Sequence, residues 1–239
     1  MASREIKQSD EAPERRQFRV LGDGPRVEPR VFTELPDDFI DMVRLFESVN
    51  TAIEADDDKV RDTTFKMRRQ ILNDPHSTES VALANMLPEI MRTIAHLPGL
   101  YAAHSSVGLH LLQAGTLSIR ERELGILRIA WLVQAPYEWG EHVLVARRVG
   151  FTDEDIKAVI AGPTEGPLNS HETAILQAVD ELYIDAMISD ATWDQLSTNW
   201  TTQQLMEFPV LIGQYQAVAY YQNSLKLRLH KGNEGLLAR

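Results

Sequence analysis

The chain has no cysteine among its 239 residues. Disulfides, thiolate metal sites and thiol redox chemistry each need a thiolate, so this chain cannot supply them. Basic charge is also in short supply: 24 Lys and Arg stand against 35 Asp and Glu, a formal net charge of −11. That balance argues against a nucleic-acid or anionic-membrane surface. No apolar run approaches the roughly 20 residues a membrane helix needs. The opening Met1-Ala2-Ser3-Arg4-Glu5 lacks the apolar stretch of a secretory signal, so the expected location is cytoplasmic. Glycine loops of the kind that cradle phosphates are missing, because Gly22-Asp23-Gly24 is too short and precedes no strand. Neither a Gly-x-Ser-x-Gly elbow nor HExxH occurs. His96, His104 and His110 do not share ligand spacing, and no metal or other cofactor is expected. Strand alternation and hairpin turn dipeptides are absent as well.

What remains is helical. The apolar fraction of 44% and charged fraction of 25% are those of a globular domain with a sizeable core. Residues 1–35 are polar and broken by Pro13, Gly22, Gly24, Pro25 and Pro29. They read as an extended or disordered arm without stable helix, yet Phe18, Val20, Leu21, Val27, Val31 and Phe32 give it apolar surface with which to pack on a neighbouring subunit. From residue 36 onward a single all-α domain is expected. Phe39, Met42 and Val43 fall at helical spacing. Asp56-Asp57-Asp58 reads as a turn or as the acidic start of a helix over 60–72. A helix over 83–95 has to accommodate Pro88 near its start or at a kink. Ser118-Ile119-Arg120-Glu121 fits a capping box and opens a helix apolar nearly all round, as a central helix should be. Thr152, Asn169 or Ser170, Ser189 or Asp190, and Thr201 read as further N-caps.

Three residues carry the chemical suggestion. Glu138 and His142 lie at i and i+4, on one face of a helix, where a carboxylate and an imidazole can exchange a proton. Glu123 lies on the preceding apolar helix, where a carboxylate needs a partner; Arg120, Arg128 or another basic residue could serve. Against this stands the plain reading: His142 as a core histidine bonded to backbone, and Glu138 as an i,i+4 surface partner worth a few tenths of a kcal/mol. Trp139 and Tyr215 can line a pocket or simply pack. Arg147 can clamp a substrate carboxylate in bidentate fashion, or favour a helix C-terminus in solvent.

The run Leu124-Gly125-Ile126-Leu127-Arg128, then Tyr137-Glu138-Trp139-Gly140-Glu141-His142 and Ala146-Arg147-Arg148-Val149-Gly150-Phe151-Thr152, resembles the carboxymuconolactone decarboxylase family of the alkylhydroperoxidase-like superfamily. The resemblance extends over roughly residues 85–228. It implies an alkylhydroperoxidase-like helical bundle, assembled as a trimer or hexamer with pockets near subunit interfaces. In the peroxidase members a Glu, a Cys-x-x-Cys and a His recur; Glu123 and His142 stand at the Glu and His, while Ala135 and Glu138 stand at the two cysteines. Thiol peroxidase chemistry is thereby excluded for this chain alone. The resemblance implies instead a cofactor-free carbon–carbon lyase acting on a small carboxylated or aromatic-derived compound. His142 would be its acid/base, Glu138 would orient and charge His142, and Glu123 would be a relay or alternate base. Loss of formaldehyde or an isomerisation would use the same proton chemistry, and a non-catalytic binding or structural protein would keep the fold alone.

Overall fold

The computed structural model describes residues 11–50, 58–163 and 166–239. Among these, twelve α-helices and one short 3-10 helix occur, and no strand. None of the helices is long and apolar enough to cross a membrane. The packing divides the chain into two compact units: Val27–Gly115, and the chain up to Arg26 together with Thr116–Arg239. Neither boundary falls at residue 35.

The unit Val27–Gly115 contains α2 (Asp37–Asn50), α3 (Asp58–Asn73), α4 (Thr78–Met86), α5 (Glu89–Ile94) and α6 (Pro98–Gln113). Asp56 and Asp57 lie outside the described residues, and α3 begins at Asp58. Its core gathers Phe32, Leu35, Phe39, Met42, Val43, Ile71, Leu87 and Met91. The single helix expected over 83–95 is two helices. Pro88 blocks the α conformation of the residue before it, and Leu87 accordingly sits extended at φ −59°, ψ 153°. Residues 30–32, expected to be free for another subunit, are pinned at home. Asn85 receives the Phe32 amide at 2.8 Å and donates to its carbonyl at 2.9 Å. Arg30 donates to Ala95 O at 2.9 Å, and Arg92 to Arg30 O at 3.2 Å.

The other unit is built around α7 (Ile119–Leu132), whose residues Glu123 to Trp131 are all buried. Around α7 pack α8 (Pro136–Arg148), α9 (Asp153–Ala161), α10 (Ser170–Asp185) and α12 (Thr202–Leu225). The capping box at Ser118 is formed, as are those at Thr152, Asn169 and Thr201, and Ser189 caps α11 (Asp190–Ser197). Gly125 lets α7 and α12 come close: a Cβ there would stand 2.8 Å from the Phe208 ring. Residues 13–21, assigned on sequence to an arm without stable helix, form α1 (Pro13–Leu21), with Pro13 in its first turn, where no intrahelical N–H is needed. Helix α1 packs on α8, α12 and the 3-10 helix Gly235–Leu237. Of the arm's apolar residues, Val20 and Phe32 are buried within their own units, while Phe18 and Val31 are exposed.

Among the described residues, Arg128 is the one arginine whose side chain is buried. It donates in bidentate fashion to Asp180, at 2.6 and 2.8 Å, and to the carbonyls of Val159 and Ile160 at 2.8 and 3.0 Å. The ends of α9 and the middle of α10 are thus tied to α7 by one guanidinium, whose fork geometry suits the task.

Candidate functional site

Helix α8 starts at Pro136 because proline fits the first helical position, and it packs back on α7 after a tight turn at Gln134. That turn sets His142 beside Glu123. His142 Nδ1 lies 2.7 Å from Glu123 Oε2. Arg122 holds the other oxygen, Oε1, through Nε and Nη2, each at 3.2 Å. The Glu123 side chain is fully buried and that of His142 is 13% exposed, so solvent scarcely weakens the pair. The ring of Tyr215 on α12 meets that of His142 edge-on, with centroids 4.9 Å apart.

Burial opposes ionisation of Glu123, but His142 and then Arg122 outweigh it and hold this carboxyl below its ordinary value. An ionised carboxylate only accepts, so Nδ1 carries the proton and donates it to Glu123. Nε2 then carries a lone pair in the neutral ring and a proton in the imidazolium. It makes no hydrogen bond among the described residues.

Glu138 behaves differently. It is fully buried, neither of its oxygens has a hydrogen-bond partner, and desolvation pushes its pKa well above the ordinary carboxylate value. The expected Glu138–His142 pairing is therefore corrected: Glu123, not Glu138, orients His142. An i,i+4 relation gives a shared face but does not decide which neighbour the imidazole reaches, and the packing of α7 on α8 brings the Glu123 carboxylate to it. Of the proposed partners for Glu123, Arg120 pairs instead with Asp155 and Glu172, and Arg128 with Asp180.

Trp139 is fully buried, donates Nε1–H to Ala238 O at 3.1 Å and packs on Trp131 at 4.9 Å; it is core rather than an open pocket wall. Arg147 is paired with Asp153 and donates to the carbonyls of Phe151 and Arg239, so its guanidinium is committed at the C-terminal end of α8, away from the pair. Glu141 is bonded to His230 and, at 2.6 Å, to Asn233 Nδ2. Asn233 lies over Gly140, where any Cβ would collide with it, and also donates to Tyr137 O at 3.0 Å. The segment after α12 thereby clasps α8, the helix that carries His142.

Arg122 was missed in the sequence because adjacent residues on a helix do not normally face each other. Arg128 could have been found by the same signal that marked Glu123, a charge on an otherwise apolar helix. Among the described residues, no three His, Asp or Glu side chains gather in a way that could hold a metal ion.

Residues 98–181 match the model of the carboxymuconolactone decarboxylase family. A crystal structure of a protein of unknown function from Agrobacterium tumefaciens, suggested to be the antioxidant defence protein AhpD, superposes with a TM-score of 0.54 at 16% identity, covering 57% of this chain and 94% of the other. That likeness concerns the fold. No curated protein is significantly similar to the chain. The chain is thus similar to the carboxymuconolactone decarboxylase family over residues 98–181, has an all-α fold like that of the Agrobacterium protein, and carries no cysteine.

Proposed function

We propose that the protein is a cofactor-free carbon–carbon lyase of the carboxymuconolactone decarboxylase type, acting on a small carboxylated or aromatic-derived compound by acid–base chemistry. The observation that supports it most is the His142–Glu123 contact of 2.7 Å, almost closed to solvent, with Nε2 free of other bonds. In decarboxylation the C–C bond to the carboxylate breaks, CO2 leaves, and the electron pair passes into a conjugated carbonyl of the substrate as an enolate. His142 Nε2–H then delivers its proton to the carbon. Glu123 stays ionised throughout and stabilises the imidazolium before transfer. Glu138, whose protonated form is favoured because no group offsets its burial, is the hydrogen-bond donor suited to an enolate oxygen. Two carboxyl groups whose surroundings move their pKa values in opposite directions are the pattern of divided acid and base roles. Tyr215 steers the His142 ring by its edge contact. Release of formaldehyde or isomerisation would use the same proton at Nε2 and differs only in which bond the substrate yields.

Self-association into a trimer or hexamer belongs to the same reading. Met206 and Val210 on α12 are 66 and 52% exposed, and the exposed Gly213 and Ala217 continue the same face. They leave an uncharged strip that a second copy would cover; light scattering reads the mass.

The test is an assay of unsaturated lactone and keto carboxylic acids in deuterium oxide, following CO2 release and deuterium at the product carbon. H142Q is expected to lower kcat by roughly 10²–10⁴-fold, the usual reach of a general acid. An H142Q enzyme that turned over at the wild-type rate would sink the proposed role.

A further inference from the structure

At the far end of α7, about 13 Å from Glu123 along the helix axis at 1.5 Å per residue, lies a cleft of about 300 Å³. Its wall is Arg16 and Arg19 of α1, Leu132 at the end of α7, Val133 and Gln134 after it, Tyr183 of α10 and Tyr220 of α12. All belong to the unit built on α7. Two cations and no carboxylate line it, in a chain of net charge −11. Its volume is at the lower end of small-ligand sites.

The two arginines are not alike. Arg19 has a counter-ion in Glu11, at 2.6 Å. Arg16 makes no ion pair among the described residues. Its Nε is buried without a partner, and the one side-chain hydrogen bond it makes among the described residues, from Nη2 to Val133 O, is 3.4 Å long. A buried Nε–H with no acceptor and a single long bond from Nη2 leave this guanidinium under-satisfied. Burial, and then the neighbouring Arg19 charge, lower its pKa by more than the Glu11 carboxylate, which is paired with Arg19, raises it. Beside it stand the part-exposed phenol rings of Tyr183 and Tyr220, and Gln134 is held at a φ of 53°, an uncommon conformation for a residue with a Cβ.

We propose that this cleft is a second binding site, for a small oxyanion-bearing molecule whose carboxylate or phosphate pairs with Arg16 while its body lies against the tyrosine rings and Leu132. The anion supplies the acceptors Arg16 lacks and offsets its repulsion with Arg19. A flat unsaturated acid fits the wall best, since a phenol ring gives it a face and Arg16 an ion pair.

Calorimetric titration of the full chain at low salt, with benzoate and separately with inorganic phosphate, tests this. R16Q is expected to weaken binding roughly tenfold to a hundredfold, as for loss of a charge-assisted hydrogen-bonded partner. R15Q removes the same charge from an exposed neighbour outside the wall and is expected to leave binding unchanged. Benzoate binding without phosphate binding supports an organic acid; binding of both supports the site with the oxyanion as the main determinant. Binding of neither ion below roughly 10 mM, or equal binding by R16Q and wild type, overturns it and leaves Arg16 as a cap on the α7 carbonyls. A circular-dichroism melt checks that R16Q folds. If it does not, Tyr183→Ala decides: unchanged benzoate affinity overturns the proposal.

Discussion

Glu123 and Glu138 sit on adjoining helices and are driven in opposite directions. Glu123 has a folded-state pKa below its unfolded one, so its contribution to stability is present above the unfolded value and is lost as pH falls through the folded value. Glu138 has a folded-state pKa above its unfolded one. Its contribution is complete below the unfolded value near 4.5 and is lost as pH rises toward the folded value, at a slope of about 1.4 kcal/mol for each pH unit. E138Q removes that titration while keeping the shape. We expect E138Q to match wild type in acid and to become progressively more stable than wild type as pH rises above 4.5. Urea titrations at several pH values read the difference, and parallel curves would show that Glu138 is solvated or paired in solution. E123Q should show the reverse: near-wild-type stability in strong acid and a deficit that opens as pH rises. Its kcat should fall too, since a neutral amide no longer stabilises the imidazolium.

Helices in this protein are delimited locally but placed by a few contacts between them. Helix α8 is held at its back by the segment after α12. There is no room for a side chain on Gly140, because Asn233 occupies that space. G140A is expected to displace Asn233 from Glu141 and the Tyr137 carbonyl, and to cost about 1–3 kcal/mol as an overpacking change. Loss of activity beyond the loss of folded protein would show that the clasp also sets the His142 position. Helix α7 depends on Arg128 in the same way. R128M leaves Asp180 buried without its cation and is expected to cost about 3–5 kcal/mol. The double change R128M/D180L should recover much of that, because the uncompensated charge is gone. Thermal or urea unfolding of the three chains checks both expectations.

At the scale of the molecule, residues 11–26 are structural rather than an appendage. Helix α1 buries Val20, and Gln17 accepts the Leu236 amide at 2.6 Å. Removing the first 26 residues should therefore lower the melting temperature by several degrees or more, whatever it does to assembly. A truncated chain with unchanged melting temperature would mean that α1 docks only weakly in solution. The same deletion takes Arg16 and Arg19 from the cleft at the end of α7, so anion binding there should vanish with it.

The amino-acid sequence by itself determined most helix boundaries, because capping and proline effects are local. Ser118, Thr152, Asn169, Ser189 and Thr201 cap where their side chains reach an amide three residues on, and no distant residue has a say in that. It also excluded thiol chemistry by this chain alone, since a chain without cysteine has no thiolate, and it singled out Glu123, Glu138 and His142 as chemically unusual in their setting. It missed α1, whose amphipathic face is stable only against α8, α12 and Gly235–Leu237, and the split at Pro88, where one residue's ψ decides. The tertiary structure alone decided which carboxylate serves His142. Glu123 is nineteen residues away in the chain and 2.7 Å away in space, while Glu138 is one turn away and bonded to nothing. Helical periodicity fixes which side chains share a face. Only the packing of one helix on another fixes what that face meets, how dry the contact is, and so which acid keeps its proton.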